Sequence, residues 1–269
     1  MLKNITKGMY DALKALLPFI IVYFIVSFSE KNRFVPNIGV EKWLLGVILS
    51  TIVLFVIFKV FFFTDESKTV FDSKSLVIVS VALICILLIY HFQNIFGLYA
   101  ESENEMKLDQ KISGNKESLH YLFVDMVIVA PVIEEITLRG VVYYYIKEAC
   151  KSVIKWNTWK IKNSFINHTF NILFVIISTS LFTFIHSWDS YIEAIPYFSM
   201  GIVLSLVLII TKNILNTICI HMLNNFFAFL DVGLYQCFLL CSILFIVSVA
   251  LFVYSNKSNK KLKKALLKH

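Results

Sequence analysis

Apolar runs at 13–30, 43–63, 74–96, 121–146, 170–188, 194–211, 213–231 and 234–254 dominate the chain. Each is long enough to carry a helix across roughly 30 Å of hydrocarbon at about 1.5 Å per residue. No single water-soluble core could hide them all, and composition agrees. Of the 269 residues 58% are hydrophobic and only 16% charged, where a soluble domain carries roughly a quarter. Mean hydropathy is +0.75, and 25 Phe and 12 Tyr add more large side chain than one aqueous core would bury. Inside hydrocarbon every backbone polar group must be satisfied within its own segment, which favours helices for such runs. The expected fold is all-α: a polytopic transmembrane helical bundle of about eight membrane-spanning helices.

The formal charge of +7 would suit nucleic acid if it were spread over one surface, but it is gathered at the ends of spans. Lys147, Lys151, Lys155, Lys160 and Lys162 lie in one link, and six Lys crowd the tail from Lys257 to Lys268. The positive-inside rule accounts for both clusters, so nucleic acid is not an expected partner. With the N-terminus inside, Lys3, Lys7, Lys14 and Lys212 fall on the same side, and ESENE at 101–105, Asp189 and Asp231 fall on the other. The expectation is a multi-pass cell-membrane protein with both termini cytoplasmic. The first apolar run is followed by SFSEKNRF rather than a small-residue cleavage site, so it reads as a retained helix. The richness in Lys, Asn, Ile and Phe is that of a bacterial protein. Cys85, Cys150, Cys219, Cys237 and Cys241 form no CxxC pair and read as packing residues.

Ionisable groups inside hydrocarbon are costly and call for a partner or a task. The fourth run, VDMVIVAPVIEEITLRGVVYYYI, holds Glu134, Glu135 and Arg139. Glu135 and Arg139 are four apart and share a helical face, the spacing of a salt bridge. Glu134 lies about 100° around the helix and is the freer group for proton chemistry. Pro131, just before, interrupts the hydrogen-bond ladder and can kink the helix. His186 closes the fifth run, and His221 and Asn225 share a face of the seventh. Each alone would serve as packing or interhelical glue. Together these groups can take a proton from water, hold that water and donate to an oxyanion, the parts of a peptidase. The same set could line a proton or ion pathway, so the residues by themselves leave enzyme and transporter level.

Three motifs then carry a resemblance. Glu134-Glu135-Ile136-Thr137-Leu138-Arg139 reads EExxxR, Phe182-Thr183-Phe184-Ile185-His186 reads FxxxH, and His221-Met222-Leu223-Asn224-Asn225 reads HxxxN. In this order, each on an apolar run, they resemble the CPBP family of intramembrane endopeptidases, also known as the CAAX protease and bacteriocin-processing or Abi family. The resemblance covers about 120–231. It implies Glu134 as general base on the attacking water, His186 as its companion in positioning that water, and His221 with Asn225 as holders of the oxyanion. Glu135 and Arg139 would orient the fourth helix, and Phe182 would line the pocket. It favours glutamate-activated, metal-free hydrolysis, with zinc held by Glu134, His186 and His221 as the alternative.

The chain accordingly divides into N-terminal transmembrane helices and a polar loop at 1–118, a CPBP-like catalytic membrane core at 119–231, and a last transmembrane helix with a Lys-rich cytoplasmic tail at 232–269. The expected activity is intramembrane hydrolysis of a peptide bond in a hydrophobic or membrane-attached peptide or protein, with the lipid bilayer as the other partner. A noncatalytic peptide-binding immunity protein or a transporter is the competing reading. The two halves show no matched broken helices of the kind that paired transport repeats use.

Overall fold

The computed structural model describes residues 72–102, 119–156 and 163–266, together with positions 52, 105–106 and 110. The runs expected at 13–30 and 43–63 lie outside the described residues. Within them, every regular element is a helix.

Helix α1 spans Ser73–Ile95, its first turn capped by the Asp72 carboxylate, which accepts from the Ser75 amide at 2.8 Å. Helix α2 runs continuously over 119–156, built from Leu119–Phe123, Val124–Val129, Ala130–Glu134, Glu135–Val141 and Val142–Trp156. Its second and fourth segments are π-helical, with right-handed backbone angles through every junction. Helix α3 is Asn163–Phe184, α4 is Tyr191–Thr211, α5 is Ile214–Phe229 and α6 is Leu234–Leu266. Four helical stretches among the described residues are long and apolar enough to cross a membrane: Ser73–Ile95, Asn167–Phe184, Tyr191–Thr211 and Leu234–Ser258. Ile214–Phe229 is apolar but shorter, 16 residues or about 24 Å of helix.

Packing places α4 and α5 at the centre. Helix α2 lies against α3 and α5, α4 against α3, α1 and α5, and α6 covers the outer side of α1. The α3–α4 crossing is close because Gly201 carries no side chain. A Cβ there would meet the Thr179 Cγ2 at 3.1 Å and its Cα at 3.2 Å. The Ser205 hydroxyl, one turn on, donates to Ser178 Oγ at 3.3 Å, and Ser178 donates to the Leu138 carbonyl of α2 at 2.8 Å. Small and hydroxylated residues at a crossing let backbones approach where lipid offers no hydrophobic drive between helices.

Two apolar clusters bracket the middle of α2. One gathers Val132, Ile133, Ile136 and Val141 with Phe174, Leu208, Ile214 and Ile218. The other joins Leu138 and Phe182 to Val79, Leu83, Met200, Leu204 and Ile220. Glu135 and Arg139 lie on the same stretch of α2 as both sets, and neither side chain is exposed.

The turn between α4 and α5 is tight. Lys212 takes a left-handed conformation at φ 54°, and Asn213 caps α5 by accepting from the Leu215 amide at 3.1 Å. The Lys212 ammonium donates to the Tyr143 hydroxyl at 2.7 Å, and the Tyr143 ring packs edge-on against Phe170 and Phe174.

Candidate active site

Glu135 is fully buried and takes two donors on one oxygen. Arg139 Nη1 and His221 Nδ1 each lie 3.0 Å from Glu135 Oε1. An ionised carboxylate beside a guanidinium can only accept, so the His221 proton at this contact sits on Nδ1. The remaining nitrogen, Nε2, lies 3.9 Å from Glu134 Oε2. Glu134 differs in kind from its neighbour. Its side chain is 14% exposed, and the buried Oε2 has no hydrogen-bond partner. Adjacent positions on one helix thus give one carboxylate engaged in structure and one available for reaction.

Arg139 is held on three sides. Besides Glu135, its Nη2 donates to the Gly201 carbonyl of α4 at 3.4 Å, and its guanidinium stands 4.4 Å over the Phe182 ring. A fully buried arginine is tolerable only with such partners. Phe182 also touches both histidines, with ring centroids 4.8 Å from His186 and 5.5 Å from His221.

His186 follows the last turn of α3. Its Nδ1 lies 2.7 Å from the Phe182 carbonyl, and its ring stacks on Tyr197 of α4 with centroids 4.2 Å apart. A carbonyl only accepts, so Nδ1 again carries the proton and Nε2 is the ring nitrogen left for chemistry. Tyr197 is anchored in turn, its hydroxyl 2.7 Å from Ser102 Oγ beyond the end of α1.

Asn225 is engaged across the helix interface. Its amide nitrogen donates to the Met126 carbonyl of α2 at 3.0 Å, while its oxygen accepts from Asn224 at 3.5 Å. That carbonyl is available for a reason. In the π-helical stretch Val124–Val129 the Ala130 amide bonds back to Asp125, five residues earlier. The next bond in that register would bring the amide of residue 131 to Met126, and Pro131 has none. Asn225 supplies the missing donor from another helix.

Glu134, Glu135, Arg139, Phe182, His186 and His221 therefore meet in one connected cluster, and Asn225 joins it one turn along α5 from His221. Among the described residues no group of three or more His, Cys, Asp or Glu is placed to hold a metal ion. Tyr197, Ser102, Ser178 and Gly201, which support the cluster, carry no motif. Gly201 and Ser205, small residues four apart in an apolar run, were the one sequence signal for the crossing that holds Arg139.

The segment 116–227 matches the family model described as Type II CAAX prenyl endopeptidase Rce1-like. Over this segment the chain is similar to that family. The segment takes in α2, α3, α4 and most of α5 with all seven residues above, and leaves α1 and α6 outside it. No curated protein and no solved structure matches the chain. The long apolar helices and this similarity together point to a membrane protein.

Proposed function

We propose that the protein is an intramembrane endopeptidase in which Glu134 activates the water that cleaves a peptide bond. The observation that carries this reading is the division of labour between the two adjacent glutamates. Glu135 accepts from Arg139 and His221, while Glu134 Oε2 has no hydrogen bond and lies 3.9 Å from His221 Nε2. A carboxylate without a hydrogen-bonded cation can take a proton from water as the water oxygen attacks the scissile carbonyl.

In this scheme the water oxygen bonds to the carbonyl carbon and its proton passes to Glu134. The carbonyl oxygen becomes an oxyanion. His221 Nε2 donates to it when the ring is protonated. Asn225 donates with the second of its two amide hydrogens, the first being held by Met126. Collapse of the intermediate breaks the C–N bond, and the proton on Glu134 moves to the departing amine. His186, fixed through Nδ1 and by stacking on Tyr197, presents Nε2 to position the water. Glu135 and Arg139 hold α2, α4 and α5 in register and fix the His221 tautomer. The substrate class is a hydrophobic or membrane-attached peptide, of which a prenylated chain end, as in the name of the matched family, is one case.

The test compares peptide termini in membranes of host cells expressing the wild type or Glu134→Gln at equal abundance. Products seen only with the wild type are expected. Identical termini would replace cleavage by peptide binding without hydrolysis.

A further inference from the structure

The two ends of the bundle differ in charge, and the ring contacts of the site lead toward one of them. At one end lie the start of α1 with Lys74, Lys147 of α2, the Lys212 turn, and Lys257 of α6. Four contacts establish that these share an end. Ser80, early in α1, shares a hydrogen bond of 3.2 Å with Ser248, midway along α6, and His91, near the finish of α1, packs edge-on against Phe238, near the start of α6, so the two helices run antiparallel. Gln93, at the finish of α1, donates to Ser199, near the start of α4, at 2.8 Å, so the finish of α4 lies beside the start of α1. Lys212 then ties that end to Tyr143 of α2.

The opposite end holds the segment after α1, the 185–190 turn and the 230–233 turn, with Glu101, Glu105, Asp189, Glu193 and Asp231. The start of α2 belongs here too, since Phe123 packs on Phe229 with centroids 5.2 Å apart. Among the described residues this end carries no Lys or Arg. The sequence strengthens the contrast: five Lys in the link from Lys147 to Lys162 and six in the tail, against three in the 99–119 link, where five carboxylates accompany them.

From Glu134 the polar and ring contacts lead toward the acidic end. His221 touches Phe182, Phe182 touches His186, His186 stacks on Tyr197, and Tyr197 reaches Ser102. His186 itself lies in the turn that leaves α3, beside exposed Ser187 and Asp189. Toward the lysine end the way is filled by buried Ile136, Val141, Phe174, Leu208, Ile214 and Ile218, with the Tyr143–Lys212 contact beyond them. Water and a polar peptide bond have no favourable route through that apolar plug.

Lysine-rich ends of membrane bundles stay in the cytoplasm. We infer that the candidate site opens onto the extracytoplasmic face, so that its substrate is a hydrophobic peptide whose scissile bond lies on the outer side of the membrane. The substrate half of this statement rests on the endopeptidase reading; the orientation half does not.

The experiment is cysteine accessibility in intact cells with a membrane-impermeant maleimide, using the full chain and the unsubstituted protein as baseline. Ser187→Cys and Ser258→Cys place thiols at exposed positions of the two ends. Labelling of Ser187→Cys in intact cells, with Ser258→Cys labelled only after the membrane is opened, is the expected result. The reverse pattern overturns the inference. A second arm uses Glu134→Cys with a small charged thiosulfonate: modification in intact cells is expected, and modification only in inside-out vesicles overturns the proposed opening. Neither arm requires cleavage, so an inactive protein would defeat the endopeptidase reading and leave the orientation standing.

Discussion

Glu134 and Glu135 are neighbours with the same side chain, yet their substitutions should fail in different ways. Glu134→Gln keeps the shape and removes the base, so cleavage should fall by roughly 10²–10⁴-fold while abundance and thermal unfolding in detergent stay near wild type. Glu135→Gln withdraws the charge that Arg139 and His221 both face, and unpairing a buried ion of this kind costs about 3–5 kcal/mol. Its signature should be loss of folded protein, read as a lowered melting temperature in detergent. This split was legible from helix periodicity, because Arg139 stands four residues from Glu135 and off the face of Glu134. The second partner of Glu135 was not. His221 is 86 residues away in sequence, and spacing along one helix carries no information about which nitrogen of a ring on another helix will reach it. Tyr197, stacked on His186, was equally silent, since one more tyrosine in an apolar run looks like packing.

At the scale of elements, the interest lies in how α2 absorbs Pro131. The sequence supports a kink there; the structure instead shows a π-helical stretch whose spare carbonyl, Met126, is filled by Asn225. A missing amide announces a broken ladder but not the register chosen around it, which depends on a donor arriving from α5. Two changes should therefore interact. Asn225→Ala should destabilise by about 1–3 kcal/mol, the cost of leaving a buried polar group unpaired. In a Pro131→Ala background the restored amide can serve Met126 itself, and the penalty should shrink. A double-mutant cycle on unfolding in detergent measures that non-additivity. The α3–α4 crossing gives a simpler case. Gly201→Ala would press a methyl to within 3.1–3.2 Å of Thr179 while Arg139 depends on the Gly201 carbonyl. Overpacking at such a contact should cost about 1–3 kcal/mol, visible as a lower melting temperature.

For the whole molecule, apolar runs and lysine placement were enough to foretell a helical membrane bundle, because hydrocarbon permits few alternatives to a helix. Run lengths told less about where helices stop: the fifth run reaches 188, but α3 ends at Phe184 and leaves His186 in a turn, while α6 extends to Leu266, beyond the last apolar run. The Lys212 turn has a mechanical consequence. Only two residues, Lys212 and Asn213, separate α4 from α5, and both are tied down, Lys212 to Tyr143 and Asn213 as the cap of α5. Six residues, 185–190, separate α3 from α4 at the other end. The shorter link makes the Lys212 end the stiffer of the two, so any splaying of the helices would pivot there, on the microsecond-to-millisecond scale of collective helix motions. Amide hydrogen exchange should accordingly be fast across 185–190 and slow through 204–220, and a substrate-sized ligand should slow the first without altering the second.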